Sequence, residues 1–542
     1  MIIIPAIPVH SIISKMQNSK RETGSAGNKI ARGAMTVMVA FIISNLIGLL
    51  AKTLTARYFG TSIESSAFFA ANRFSEILFN LVAGGALGSA FVPVYAELLV
   101  KDEKDKAWKL ASSIINIVTI VLIVLSILTV LFSEDVVRYI LAPGFNAAET
   151  ALTARLLRIQ VLTSIIFGVS GLLMAILNSH QHFFLPAIAP AMYQLGWIFG
   201  LLVLSPEMGV DGLAWGVVIG AGMHLIVQLP KLLKLEGWTY KLGFGFAMRE
   251  VREVARLMAP RLLGVAIVQL NFLLNIYLAS FQSEGAITAL SLAFTLMIMP
   301  EAAIAQSIAI AALPTLSALV AKGNLDAMRQ TLASTLRAVI LLAIPASIGL
   351  VVLRKPIVQL LYSGNAFDVN SVALVAWALL WYAIGLLGHG LVEVTSRAFY
   401  SLHDTRTPVI VGVGAMAANL GLSFLFTALF NRLGWMPHGG LALANTTATA
   451  VESIILLVLM KRKLKGIAAN KIFAAVWKSI TASGIMVIVI QTVNAYLFQQ
   501  SGPARTLFSI LAGIVFYFVS LILLRIPEIK KVFRIIKNRI FQ

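Results

Sequence analysis

Charged residues make up only 12% of this chain, and several of them interrupt long apolar runs. A charge held in hydrocarbon costs several kcal/mol unless it is paired or hydrated, so each one is a functional candidate. Lys52 lies about six residues below the outer end of the first run, and Arg73 about seven below that of the second. At 1.5 Å per residue both fall roughly 10 Å beneath one surface. Two cations at one depth can face one cavity. Glu76, three residues after Arg73 on the same helical face, offers the alternative of a local ion pair. Glu301 directly follows Pro300, whose missing backbone donor should kink the helix and open carbonyls to a cavity. His389 and Glu393 are spaced i, i+4, which suits either a proton relay or a mutual hydrogen bond. Arg261 and Arg337 lie where they can snorkel. Gln269, Asn271, Asn275 and Asn419 can line a path or hold helices together.

A second polar concentration is the stretch SRAFYSLHDTRTP, Ser396 to Pro408. Asp404 or Thr405 can cap a helix there, and Pro408 suits its first turn. Arg397 and Arg406 then sit at the inner surface. Spacing alone favours a cytoplasmic hinge over a binding site. No Gly-rich phosphate loop with a lysine, no HExxH and no extended acidic motif is present, so the chain reads as a non-enzyme that moves something without breaking bonds, or else transports nothing.

The elements that must position these residues follow from composition. At 59% hydrophobic over 542 residues, the chain has too little polar surface for a water-soluble globule. Apolar runs of about 20 residues recur from near residue 34 to about 524, each long enough to cross roughly 30 Å of hydrocarbon as a helix. About fourteen such spans are predicted, without the alternating segments of a barrel. The net charge of +20 is an orientation signal. With the amino terminus inside, inner loops carry roughly 30 of the 43 Lys and Arg residues and outer loops about 6. That places both termini in the cytoplasm and sets nucleic acid aside as a partner, since no basic stripe interleaved with aromatics occurs on a soluble domain. Lys461, Arg462, Lys463 and Lys465, with Lys530, Lys531, Arg534 and Lys537 in the tail, would meet anionic headgroups. Cysteine is absent, which removes disulfides and thiol chemistry. The opening MIIIPAIPVHSIISKMQNSK puts its apolar run ahead of its charges, the reverse of a secretory signal.

The sequence also repeats itself. Ser179 to Pro186 echoes Ser401 to Pro408 at an offset of about 222 residues. AFVPVYAELLV from Ala90 echoes AALPTLSALVA from Ala311, VVRYILAPG from Val136 echoes IVQLLYSG from Ile357, and GLAWG from Gly212 echoes GLALA from Gly440. Such an offset spans an even number of helices and gives two parallel halves, between which transporters commonly bind substrate. The expected organisation is all-α and polytopic. A cytoplasmic segment over 1–32 leads to a six-helix lobe over 33–235 and a cytoplasmic linker with an amphipathic helix over 236–257. A second six-helix lobe over 258–463 follows, then two appended helices over 464–525 and a basic tail over 526–542. Gly84 with Gly85 invites bending in the second span.

On these residues the chain resembles a known family. SRAFYSLHDTRTP is similar to the RAFYA-x-x-DT-x-TP signature of the bacterial lipid II flippases, the MurJ (MviN) family of the multidrug/oligosaccharidyl-lipid/polysaccharide (MOP) exporter superfamily. The similarity extends through ARYFG at Ala56, GALGSAFVPVYAE at Gly85, MAPRLLGVAIVQLNFLLNIYLAS at Met258 and LLYSGNAFD at Leu360. The resemblance implies a MATE-like fold of two lobes plus two helices forming a lipid groove. It implies outward movement of undecaprenyl-pyrophosphate-linked peptidoglycan precursor across the bacterial cytoplasmic membrane by alternating access. Partners would be lipid II, membrane lipids and cell-wall synthesis proteins. Family members place arginines in spans one, two and eight around a cationic cavity. Here Arg73 matches the second span, while Asn45 and Ala51 stand at the first-span positions, Lys52 where an acid is common, and Thr295 in span eight. Phe79, Asn80 and Gly84 replace the paired arginines and glutamate of span two, and the sodium-site acids are absent near Asn419. The leading expectation for this chain's own substrate-binding set is Arg73 and Lys52 as diphosphate anchors, Asn45 as a polar wall, and Glu76 and Glu301 as gating partners. No cofactor is implied, and the metal, coupling ion or membrane-potential drive stays open. The lost arginines keep two alternatives alongside: an exporter of another lipid-linked oligosaccharide or amphiphilic drug, and a non-transporting cell-wall scaffold of the same fold.

Overall fold

The structure, a computed structural model, describes residues 40, 42–82, 85–497 and 502–526. The lead-in over 1–32, Gly84 and the tail lysines from Lys530 onward lie outside them. The described residues are helices joined by short turns, apart from a longer non-helical stretch over 233–248. Among the described residues, eleven helices are long and apolar enough to cross a membrane, and twelve if Arg249–Ala259 and Gly264–Ala279, bent by 47°, form one span. The sequence predicts about fourteen spans. The helices over 42–59 and Ile63–Val82 are not among the eleven. Asn45, Lys52 and Arg57 dilute the first run, and Asn72, Arg73, Glu76 and Asn80 the second. The side chains that make these helices candidates for chemistry are the ones that lower their apolarity.

Helix boundaries follow the internal echo. Ala147–Ser179 and Val369–Ser401 are both 33 residues long and lie 222 apart at both ends. Their caps repeat at the same offset. Asn146 Oδ1 accepts the Glu149 backbone N–H at 3.0 Å, with Glu149 Oε2 accepting the Asn146 N–H in return, while Asp368 Oδ1 accepts the Ser371 N–H at 2.7 Å. Each cap satisfies donors that a helix start otherwise leaves open, worth about 1 kcal/mol. Gln181 and His403, also 222 apart, both take the left-handed backbone, with φ of 59° and 57°. After Pro300 the helix widens into a π-helical turn over Ala302–Gln306, the local consequence of a missing donor.

Contacts gather the chain into two compact units. The first comprises Met1–Ala51, Val82–Val124 and Leu162–Met258; the second comprises Lys52–Leu81, Leu125–Val161 and Ala259–Gln542. In the first unit, Phe184–Phe199 and Val210–Ile226 approach through glycines four residues apart. A Cβ on Gly196 would lie 2.2 Å from the Gly220 Cα, so only a bare backbone permits this packing. In the second unit, Leu325–Tyr362, Val369–Ser401, Arg406–Arg432 and His438–Lys463 form the main bundle. The Tyr517 hydroxyl of the last helix donates to the Leu341 carbonyl at 2.5 Å, which ties the appended pair Ala469–Thr492 and Pro503–Leu523 to this bundle.

Candidate functional site

The second unit brings Lys52, Arg73 and Glu76 together. Lys52 Nζ donates to Thr295 Oγ1 at 2.9 Å, and that hydroxyl donates in turn to the Ser291 carbonyl at 2.8 Å. Bonding back to its own helix turns the threonine lone pair towards the ammonium. Arg73 Nη1 donates to Glu76 Oε2 at 2.9 Å, and its guanidinium carbon stands 4.5 Å from the Phe272 ring centroid. The other Glu76 oxygen accepts from Asn72 Nδ2 at 2.9 Å. Lys52 lies within electrostatic reach of both Arg73 and Glu76. The local ion pair that i, i+3 spacing allows is therefore made, and the cluster still holds two cations against one carboxylate. Lys52 and both partners of the pair are only partly buried, which keeps the group accessible to an anion.

The other expected site residues are placed as follows. Asn45 is exposed and falls in the first unit. Glu301 is 5% exposed and accepts from Gln306 Nε2 at 3.0 Å, within the turn that Pro300 opens. Its electrostatic neighbours are Glu393 and Arg397. Glu301 and Thr295 are about 9 Å apart along one helix. His389 and Glu393 do not pair with each other. His389 Nε2 bonds Asn445 Oδ1 at 3.2 Å, and Glu393 accepts from Arg397. Asn271 Oδ1 accepts from both Asn419 Nδ2 at 3.2 Å and Asn275 Nδ2 at 3.3 Å, so these amides join helices Arg249–Ala279 and Arg406–Arg432.

The hinge stretch is a built turn. Asp404 Oδ1 accepts the Thr407 N–H at 3.0 Å, and Asp404 Oδ2 accepts from Thr407 Oγ1 at 2.8 Å and from Lys463 Nζ at 2.5 Å. Of the two capping residues the spacing allows, Asp404 is the one that caps. Lys463 and Thr407 hold its carboxyl well below the usual range, at about 2. Lys463 Nζ also stands 5.7 Å from the buried Phe399 ring, so the end of His438–Lys463 is fastened to this turn from two sides. Arg406 opens the next helix and Pro408 is buried in its first turn. Sequence reasoning missed Lys463 as the partner, since it reads as one member of a basic run. It missed Phe272 for want of any local signal.

Long apolar helices in this number define a polytopic α-helical membrane protein. An inward-facing multidrug resistance MATE family transporter of the MOP superfamily superposes with a TM-score of 0.65 at 15% identity, over 79% of this chain and 98% of that one, a likeness of fold. The chain belongs to the lipid II flippase MurJ family, whose sequence model matches residues 55–515. Members of that family are transporters rather than enzymes. The lipid II flippase MurJ of Burkholderia cenocepacia is 29% identical over 444 residues, 80% of this chain and 84% of the relative. A solved lipid II flippase MurJ in an inward closed conformation superposes with a TM-score of 0.77 at 25% identity, covering 90% of this chain and 98% of that one.

Proposed function

We propose that this chain carries lipid II from the inner to the outer leaflet of the bacterial cytoplasmic membrane by alternating access, with Arg73 and Lys52 as the diphosphate anchors. One observation carries the assignment of roles. Cations from two different helices stand within electrostatic reach of one carboxylate, and each spends a single donor on a protein partner among the hydrogen bonds above, Lys52 on Thr295 and Arg73 on Glu76. An ammonium has three donors and a guanidinium five, so both can turn others to phosphate oxygens. Glu76 then acts as a stand-in anion that holds Arg73 until the diphosphate arrives. Glu301 is proposed as a gating acid outside the anchoring cluster, and Asn45 as a polar wall. The stretch from Arg397 through Asp404 and Arg406 to Pro408 is proposed as the cytoplasmic hinge of a second lobe over 258–463, paired with a first over 33–235. Both termini are assigned to the cytoplasm on the Lys and Arg bias.

The test is rescue of a strain depleted of its own lipid II flippase. Arg73→Ala combined with Lys52→Ala should abolish rescue while the protein still reaches the membrane, and full rescue by that double variant removes the proposed anchors. Vesicles that compare purified lipid II with a cationic dye separate the lipid-linked cargo from an amphiphilic drug.

A further inference from the structure

The segment Trp238 to Phe246, WTYKLGFGF, alternates large apolar residues with small or polar ones, and residues 238–245 have no regular secondary structure. Trp238, Tyr240, Leu242, Phe244 and Phe246 are all exposed, Leu242 at 89% and Phe246 at 67%. The segment is nevertheless fastened along its length to the part of helix Lys104–Leu131 that belongs to the first unit. Trp108 Nε1 donates to the Glu236 carbonyl at 3.4 Å, and the Lys241 N–H donates to Ser112 Oγ at 3.2 Å. Asn116 Nδ2 donates to the carbonyls of Lys241 at 3.1 Å and Gly243 at 2.8 Å, while its Oδ1 accepts from the Tyr240 hydroxyl. Ser112 and Asn116 are buried beneath the segment. A polar side chain inside an apolar span is explained here by what it does, which is to satisfy the carbonyls of a non-helical strand lying beside a membrane helix.

The depth of this strap follows from the helix that holds it. Lys104–Leu131 has 28 residues, about 42 Å at 1.5 Å each, against a hydrocarbon layer of roughly 30 Å. Its first turns carry Lys104, Lys106 and Lys109, side chains that favour the headgroup level. Ser112 and Asn116 come about 12 to 18 Å along it, near the hydrocarbon boundary. Just beyond, Ile120, Val121 and Val124 are exposed and apolar, so the strap's aromatic row continues the lipid-facing surface of the helix. Lys234, Lys241, Arg249, Arg252 and Arg256 are exposed around it. The three arginines recur on one face of the following helix, opposite the buried Val251 and Val254.

We infer that this strap is an interfacial anchor that inserts its apolar row into the leaflet beside it and selects anionic phospholipid through the flanking cations. Aromatic rings favour the headgroup level, and basic residues beside it favour negative lipid. The linker after the sixth span of the first half is thus held in the membrane surface, so leaflet charge sets how firmly it is held.

Because the chain contains no cysteine, Leu242→Cys carries a single nitroxide in the full-length protein. Its collision accessibility to oxygen and to a water-soluble nickel chelate is read in phosphatidylcholine vesicles with and without phosphatidylglycerol. Val124→Cys serves as the lipid reference and Lys101→Cys as the water reference. The oxygen-to-nickel ratio at 242 should match Val124, exceed Lys101 several-fold and rise with phosphatidylglycerol. In Asn116→Ala it should fall towards the Lys101 value while the Val124 probe stays unchanged, which reports an intact fold. A ratio equal to Lys101 in both vesicles overturns the anchor. Shielding from both reagents overturns it in favour of a protein partner. Indifference to phosphatidylglycerol overturns the lipid selectivity, and indifference to Asn116→Ala overturns the fastening.

Discussion

Lys52 and Thr295, 243 residues apart, meet at 2.9 Å with the ammonium as donor. Lys52 supplies the positive charge at this contact and Thr295 a neutral acceptor, so a change at either position is felt at the other.

A hydrogen bond to a charged group contributes about 1.5–3 kcal/mol, so Thr295→Val is expected to lower lipid II transport by roughly ten- to a hundredfold in vesicles. Thr295→Arg should be worse, because it sets two cations at contact distance. Adding Lys52→Glu to that variant should recover much of the rate. Equal rates for the native protein and Thr295→Val would remove Lys52's orientation from the mechanism.

Glu76 competes with any anion for Arg73 at 2.9 Å. Glu76→Gln should therefore tighten equilibrium binding of lipid II while slowing release. Arg73→Lys should weaken binding, since an ammonium cannot offer the bidentate fork of a guanidinium. Phe272→Ala should cost about 0.5–2 kcal/mol of Arg73's placement, read as a matching loss of affinity. Unchanged affinity in all three would move the diphosphate elsewhere.

Asp404 has a depressed folded-state carboxyl at about 2, against an ordinary 3.8. A depressed carboxyl contributes stability above its unfolded value and loses it as pH falls through the folded one. Asp404→Asn keeps an oxygen for the Thr407 N–H but loses the charge paired with Lys463, so thermal stability in detergent near neutral pH should fall by up to about 1 kcal/mol. The gap to the native protein should close between roughly pH 4 and pH 2. Lys463→Met should lose part of the same increment, and the double variant should be less than additive.

Within the second unit, a Cβ on Gly144 would stand 2.4 Å from the Ser280 carbonyl oxygen and 2.6 Å from the Phe281 nitrogen. No flexible side chain is there to yield, so Gly144→Ala must separate two backbones. The Gly144 N–H bond to Ser280 Oγ, 3.0 Å, goes with it. Lower thermal stability and faster backbone amide exchange around 279–286 are expected. Native-like exchange there would show that the contact is dispensable.

Much of this was legible in the residues. Mean apolarity and run length dictate helices that cross a bilayer, because hydrocarbon leaves backbone groups no other partner. The echo between Ser179–Pro186 and Ser401–Pro408 gave the offset that helix ends and caps follow. Local pairs were legible too: Arg73 with Glu76, and Asp404 with the helix it starts, are fixed by the 3.6-residue turn.

Partners far apart in sequence were not legible, and the tertiary structure alone decided them. Nothing in the chain near Lys52 points to Thr295, nothing near Asp404 points to Lys463, and His389 takes Asn445 although Glu393 stands at the favoured spacing. Helical periodicity fixes which side chains share a face, whereas packing of one helix on another fixes which faces meet. A charge in hydrocarbon bonds to whatever polar group that packing brings within reach.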